Sequence, residues 1–175
     1  MHDEIINLIK TTTDLNSLRI QLNNYHQRDL AESFRLLDED QQEKVYALFS
    51  NEELADIFSY LDAEDVSEIT ETISEEKLAS IIQEMEPDDA ADLLAEYSDD
   101  RVEMIYQFID EDTKEEISEL LEYEENTAGA LMNSNYLVIE QGKDIKDLMK
   151  KLVKEAPDLE SINTTFVVDA NNQLL

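Results

Sequence analysis

The sequence predicts a mainly α-helical protein: a right-handed superhelix of short helices in repeats of about twelve residues, followed by an incomplete α+β fragment. Three observations predict this fold. Apolar and helix-capping residues recur every twelve positions from Tyr25 to Leu121. The first 128 residues contain no glycine and the first 86 no proline, so their turns depend on Ser and Asp caps. After Leu121 the repeat stops, and strand-like segments flank one amphipathic helix.

Each repeat begins with an apolar anchor residue. The nine anchors are Tyr25, Leu37, Phe49, Leu61, Ile73, Met85, Tyr97, Ile109 and Leu121. The next position is Ser or Asp in six of eight repeats, which is the preference of a helix N-cap. The eighth position after the anchor is apolar in seven of eight, so each repeat predicts one short helix. Helices of this length are marginal alone, and we expect them to stack as a solenoid.

Acidic residues dominate the charge, with 44 Asp and Glu against 13 Lys and Arg and a formal net charge of −31. Most of the excess lies between Leu37 and Gly142, where 33 acidic residues face four basic ones, a net of −29. Such a field repels nucleic acids and anionic membranes, and it attracts cations or basic proteins. We therefore expect no nucleic-acid partner and no direct membrane contact.

Several features that the sequence lacks exclude further kinds of protein. The sequence has no cysteine, which excludes disulfides and makes the reducing cytoplasm the default compartment. Residues 1–14 lack the regions of a secretory signal, and no apolar run approaches the length of a membrane-spanning helix. His2 and His26 lie 24 residues apart without metal-ligand spacing, and no Ser/His/Asp arrangement can be assembled. The sequence therefore predicts no enzyme.

The segment MEPDDAADLLAEYS, residues 85–98, holds five carboxylates and no base. Within it Asp88, Asp92 and Glu96 follow at i, i+4 and i+8, in one stripe opposite Leu93. Like charges at this spacing destabilise a helix by about 0.2–0.5 kcal/mol per pair. The same spacing recurs at Glu52/Asp56, Glu64/Glu68 and Asp112/Glu116.

These acidic stripes admit several interpretations. The simplest is a solvated surface that keeps the protein soluble. A second is a landing surface for divalent cations, because Mg²⁺ takes oxygen ligands, keeps several waters and needs few carboxylates from each side. The sequence has no EF-hand loop, and composition does not choose Mg²⁺ over Ca²⁺ or Mn²⁺. A third is a helical-repeat adaptor for a basic protein segment, whereas the even spread of carboxylates argues against a metal-dependent hydrolase.

The C-terminal part of the chain changes character. Asn126–Gly129 predicts a linker, and Tyr136–Ile139 and Thr165–Asp169 predict strands on either side of a helix capped by Asp144. Residues 170–173 predict a hairpin turn into a third strand that has only begun. A β-α-β fragment without its final strand is not self-sufficient, so we expect the 175 residues to be part of a longer protein.

Two segments, YEENTAGALMNSNY (residues 123–136) and FVVDANNQLL (166–175), resemble the junction of MgtE-type magnesium transporters, where an acidic helical N-domain enters a pair of CBS domains. The repeats LDAEDVSEI and MEPDDAADLL are similar to that N-domain, so the resemblance covers essentially the whole chain. It implies an N-domain at 1–125, a linker at 126–134, and the truncated first half of a CBS domain at 135–175.

The resemblance also implies a function. The chain is expected to be the cytosolic Mg²⁺-sensing regulatory region of a homodimeric magnesium channel, a cytoplasmic domain of an inner-membrane protein and not an enzyme. Its N-domain is expected to close against the CBS domains when Mg²⁺ bridges them, and so to gate ion entry. The expected partners are the protein's own CBS and transmembrane domains.

The metal ligands implied by the resemblance are Asp88 and Asp92, with Asp56 on an earlier repeat. Ala130 stands where the family offers a backbone carbonyl near the linker, often from a glycine. The expected cofactor is Mg²⁺. Most ligands on the CBS side are expected beyond Leu175.

Overall fold

The computed structural model describes residues 1–123, 127, 129, 137–155 and 164–175. The chain divides into two compact units, Met1–Ala130 and Leu131–Leu175. The predicted class is confirmed, since the described residues are mostly helical and a small two-stranded sheet lies in the second unit. Among the described residues, no helix is both long enough and apolar enough to cross a bilayer.

The described part of the first unit consists of ten short helices. They are α1 (His2–Thr11), α2 (Leu15–Leu22), α3 (Gln27–Phe34), α4 (Glu39–Tyr46), α5 (Asn51–Phe58), α6 (Ala63–Ile69), α7 (Glu75–Ile82), α8 (Pro87–Ala95), α9 (Asp99–Tyr106) and α10 (Glu111–Leu121). From α3 onward each repeat supplies one helix, as the twelve-residue spacing predicts.

The predicted Ser and Asp caps begin the helices. The side chains of Asp38 and Ser50 each accept from a backbone N–H three residues on and complete reciprocal capping boxes. Ser74 and Asp110 accept in the same way. Four of the six predicted caps are therefore hydrogen-bonded. At the other two, Asp62 and Ser98, the residue keeps the extended backbone of a cap without that side-chain bond.

Most helices of the first unit pack against the second-next helix along the chain, whereas α2 and α4 both contact α1. Helices α1, α3, α5, α7 and α9 contact one another in sequence, and α6, α8 and α10 form a second row. Two consecutive repeats therefore alternate between rows, and side chains about 24 residues apart become neighbours. The twelve-residue spacing of the sequence does not by itself predict these contacts between side chains of different repeats.

The core repeats with the helices. In the repeat anchored at Ile73, the positions five, six, eight and nine residues later are buried, and α5 and α8 bury the same four positions. The eighth position is buried in every repeat, including Ser33, where the sequence pattern is polar. The Ser33 hydroxyl donates to the Asp29 carbonyl at 2.6 Å, so its polar atom is satisfied inside its own helix.

Most basic side chains of the first unit bridge different helices. Lys44 Nζ donates to the carbonyl of Ile9 at 2.5 Å, at the C-terminal end of α1. Arg101 donates to the carbonyl of Thr70 at 2.9 Å, and its guanidinium lies 4.4 Å from the ring centre of Tyr97. Further bridges join Arg19 to Glu53, Arg35 to Asp65 and Lys77 to Asn51. A cation at a helix C-terminus stabilises the orphan carbonyls there.

The second unit contains β1 (Leu137–Glu140), α11 (Ile145–Glu155) and β2 (Thr165–Val168). The two strands pair in parallel, with Leu137 opposite Thr165, so the predicted β-α-β connection is confirmed. The Asp169 carboxylate accepts from the backbone of residues 171 and 173 in the predicted turn, and this hydrogen bonding lowers its pKa. Val168 and Leu174 then form an isolated antiparallel bridge. Most of the predicted linker lies outside the described residues.

Truncating a core position should show how much the buried positions contribute to stability. Ile105 is fully buried in α9, and we expect Ile105→Ala to lower the free energy of unfolding by about 2–5 kcal/mol through lost burial and a cavity. Ile20→Ala is the matched control, because Ile20 is 68% exposed in a helix of the same length. It should change stability by less than about 0.5 kcal/mol in urea unfolding. Equal losses in the two variants would contradict the assigned core.

Candidate metal-binding surface

Helix α8 carries the two central candidates, Asp88 and Asp92. Pro87 occupies the first turn, where its missing N–H costs nothing, and the acidic residues that follow favour the positive end of the helix dipole. The buried face of α8 consists of Ala90, Ala91, Leu93 and Leu94. With this face fixed in the core, Asp88 is half-buried and Asp92 is exposed.

The carboxylates of Asp88 and Asp92 act on one another. Asp92 is exposed as a residue, but partial desolvation of its carboxylate raises its pKa, and the negative charge of Asp88 raises the pKa further. The ionised form of Asp92 is therefore disfavoured where it stands. A cation placed beside the pair offsets both causes, since it replaces lost hydration and cancels the repulsion.

Asp92 also borders a cavity of about 260 Å³ between α6 and α8. Asp62, at the cap of α6, and Asp89 line the same cavity, together with apolar side chains that include Phe58 and Val66. The sequence analysis did not assign Asp62 or Asp89 to a site, because each fulfils a helix-terminus role in its own repeat. The signal that would have found Asp62 is the 24-residue spacing, which places the start of one repeat beside the helix two repeats later, and Asp89 could have been found from its i, i+3 spacing to Asp92 on the same helix.

Among the described candidates, Asp92 lines this cavity, whereas Asp88 and Asp56 do not. Asp56 lies exposed on α5, and its carboxylate accepts a hydrogen bond from the side-chain amide of Gln27 at 3.0 Å. Ala130 lies outside the described residues. The structure therefore brings together Asp88 and Asp92, and it holds Asp56 on a different helix of the other row.

The described side chains fit Mg²⁺ as part of a site. In the described ranges, no group of three or more His, Asp or Glu side chains is placed to hold a metal ion. Mg²⁺ commonly keeps several waters and takes one or two protein carboxylates, which is what Asp88 and Asp92 can supply. A closed protein cage is thus excluded among the described residues, and a site shared with another surface remains compatible with them.

Comparison with known proteins identifies the first unit. The family model described as the MgtE intracellular N domain matches residues 25–126, more than half of the chain. The magnesium transporter MgtE of Thermus thermophilus is 35% identical over 66 residues, and the magnesium transporter MgtE of Enterococcus faecalis is 38% identical over 60. These alignments cover 38% and 34% of this chain, but 15% and 13% of the two transporters.

Two solved structures share the fold. The crystal structure of the soluble part of a magnesium transporter matches with a TM-score of 0.89 and 27% identity, over 99% of this chain and 70% of that one. The crystal structure of the cytosolic domain of the Mg²⁺ channel MgtE in complex with ATP matches with a TM-score of 0.81 and 30% identity, over 92% of this chain and 66% of that one.

Removing one charge from the α8 pair should stabilise the fold. Because folding raises the pKa of Asp92, its ionisation opposes folding: the penalty appears as pH rises through the ordinary Asp pKa and is complete above the folded-state pKa. We expect Asp92→Asn to raise the free energy of unfolding at neutral pH by about 0.2–0.5 kcal/mol per relieved pair. The gain should vanish below the ordinary Asp pKa, as urea unfolding across pH would show.

The control for this prediction is Asp3→Asn. Asp3 is an exposed first-turn residue of α1 whose i+4 neighbour is Asn7, so the same change relieves no carboxylate pair. We expect Asp3→Asn to leave stability unchanged or to lower it slightly through the helix dipole. A neutral-pH loss of stability in Asp92→Asn would contradict the repulsion assigned to α8.

Proposed function

Because the chain belongs to the MgtE intracellular N domain family, we propose that it is the Mg²⁺-sensing regulatory region of a magnesium channel or transporter. In this proposal it is a sensor and not an enzyme. The acidic N-domain closes against the CBS domains of the same protein when Mg²⁺ bridges them, and this closure restricts ion entry through the transmembrane domain.

The observation that carries the proposal is the Asp88/Asp92 pair on α8. The core fixes both residues on one short helix, and the raised pKa of Asp92 reports a place where negative charge is disfavoured. A purely solubilising surface gains nothing from concentrating charge at such a place. A cation-responsive surface does, because the unfavourable interaction is released when a cation arrives.

The acidic residues of the chain provide the repulsion in the proposed mechanism. At physiological salt two acidic surfaces repel one another only within about 8 Å, because ions in solution screen their charges beyond that distance. The repulsion therefore acts mainly when the surfaces are almost in contact. When bound, Mg²⁺ supplies two positive charges that reverse the sign of that interaction. By linkage, the open–closed balance shifts only by the difference in cation affinity between the two states, and several weak sites together give a steep response.

Asp56 and the backbone carbonyl of Ala130 are proposed as further ligands, each at a site completed by groups outside the described residues. The hydrogen bond between Gln27 and Asp56 leaves the second oxygen of that carboxylate for a cation. This scattered ligation agrees with the distribution of acidic residues over neighbouring repeats. The proposed assembly is a homodimer of the longer protein, in which the β-α-β unit is the first half of a CBS domain.

Neutralising both α8 carboxylates should weaken the response to Mg²⁺. In the complete cytosolic region of the parent protein, we expect Asp88→Asn with Asp92→Asn to raise the Mg²⁺ concentration for half-maximal protection from proteolysis. About fivefold or more is expected, the lower end of usual coupling between sites. The physical reason is the loss of two carboxylates that bind Mg²⁺ better in the closed state.

Asp3→Asn is again the control, and its midpoint should equal that of the unaltered protein. An unchanged midpoint in the double variant would contradict the proposal. If a lysine-rich peptide bound the unaltered protein equally well in chelator and in Mg²⁺, and Mg²⁺ gave no protection, the acidic surface would instead serve a basic protein partner.

A further inference from the structure

The carboxylate of Asp56 is held by a side chain from a neighbouring helix. Gln27, the first residue of α3, donates from its side-chain Nε2 to Oδ2 of Asp56 on α5 at 3.0 Å. The two residues are 29 positions apart in the sequence, and they meet because α3 packs against α5. Gln27 is half-buried whereas Asp56 is exposed, so a partly buried amide anchors an exposed carboxylate.

The residue before Gln27 fixes the beginning of α3 against the same part of the chain. The ring of His26 lies edge-to-face against the ring of Tyr60, with centroids 5.8 Å apart. The backbone N–H of Arg28 donates to Nδ1 of His26 at 3.2 Å, which caps α3. Tyr60 follows Asp56 by four residues, just beyond the end of α5. Two consecutive residues at the start of α3 therefore contact side chains about one turn apart, and the backbone of Gln27 is held beside Asp56.

The neutral charge of Gln27 distinguishes this contact from the ion pairs between helices. At the other end of α3, Arg35 Nη2 lies 2.8 Å from Oδ1 of Asp65 on α6. The base holds that carboxylate in place and also cancels its charge. The amide of Gln27 holds Asp56 without cancelling its charge, and no base forms an ion pair with Asp56 in the part of the chain that the structure describes.

We propose that Gln27 is a positioning residue for a cation site at Asp56: its amide holds Oδ2 and leaves Oδ1 for the cation. This inference rests on the proposed function, in which Asp56 is a Mg²⁺ ligand. A carboxylate that is already held in one rotamer loses less conformational freedom when a cation binds, so its affinity is higher. A base at position 27 would hold the carboxylate as well, but it would compete with the cation for the negative charge.

The test removes the amide and leaves the carboxylate unchanged. In the complete cytosolic region of the parent protein, Gln27→Leu should raise the Mg²⁺ midpoint for protection from proteolysis by about two- to tenfold, which corresponds to the net contribution of one hydrogen bond. Gln27→Lys should raise the midpoint at least as far, because its ammonium group pairs with Asp56. In an Asp56→Asn background, Gln27→Leu should give no further shift, since the carboxylate that the amide positions is then absent.

Gln21→Leu is the matched control. Gln21 is also a half-buried glutamine, but its amide donates to the Ser17 carbonyl of its own helix at 3.2 Å and contacts no carboxylate. Its Mg²⁺ midpoint should equal that of the unaltered protein. The Gln27→Leu and Gln21→Leu variants should melt at similar temperatures, which separates positioning from a loss of folding.

A spectroscopic readout tests the contact without proteolysis. The side-chain amide signal of Gln27 in an NMR spectrum should shift as Mg²⁺ is added to the unaltered protein, because a cation on Oδ1 of Asp56 withdraws electron density from the hydrogen-bonded Oδ2. The same signal should stay in place on addition of Mg²⁺ to Asp56→Asn. A purely structural role of Gln27 predicts no response of this signal to Mg²⁺ in either protein.

The outcomes separate the positioning role from the function that it serves. An unchanged midpoint in Gln27→Leu, beside a raised midpoint in Asp56→Asn, would overturn the role of Gln27 and leave Asp56 as a ligand. An unchanged midpoint in Asp56→Asn would overturn the site at Asp56 and the role of Gln27 together. No Mg²⁺ response in the unaltered protein would overturn the proposed sensing itself. A raised midpoint in Gln27→Leu, with no further shift in the Asp56→Asn background, is the result that supports the proposal.

Discussion

The helical unit depends on the packing of its short helices against one another, mostly of one helix against the second-next helix along the chain. Helices of seven to eleven residues are too short to persist alone, so their stability comes from the apolar positions that repeat along the chain. Those positions occupy one side of each helix and leave the other side free of packing demands. The outward faces can therefore carry charge that an isolated helix would not tolerate, and α8 shows this most clearly, with Leu93 buried and Asp92 exposed.

Most of the few basic residues of the helical unit are used in holding its helices together, and they are far outnumbered by acidic residues. Lys44 contacts the end of α1, and Arg101 contacts the end of α6. Arg101 also reaches Tyr97, whose hydroxyl contacts the Thr70 hydroxyl. Partial desolvation of such groups makes their interactions stronger than exposed ion pairs, which are worth about 0–1 kcal/mol. The apolar core and these bridges together hold carboxylates close to one another in spite of their mutual repulsion.

Much of the fold was predictable because each repeat places the same residue types at the same positions. The anchors, most caps and the buried eighth position follow from residue type, and the β-α-β fragment follows from a strand, a capped helix and a second strand. The arrangement of the helices in two rows does not follow from residue type, because no local sequence pattern indicates which repeats are in contact. For the same reason the sequence analysis missed Asp62 beside Asp92, and Arg101 on Thr70. The pairing of Asp88 with Asp92 was predictable, since it lies within one helix, whereas the placement of Asp56 required the structure.

The central proposal is that closely spaced carboxylates, held in place by helix packing, keep the acidic unit apart from its neighbouring domains until a divalent cation binds. Small-angle X-ray scattering of the complete cytosolic region, in chelator and in millimolar Mg²⁺ at matched ionic strength, tests it most directly. The account predicts a smaller radius of gyration in Mg²⁺ and a contraction that requires more Mg²⁺ when Asp88 and Asp92 are both replaced by Asn. The same radius of gyration in chelator and in Mg²⁺ would contradict it.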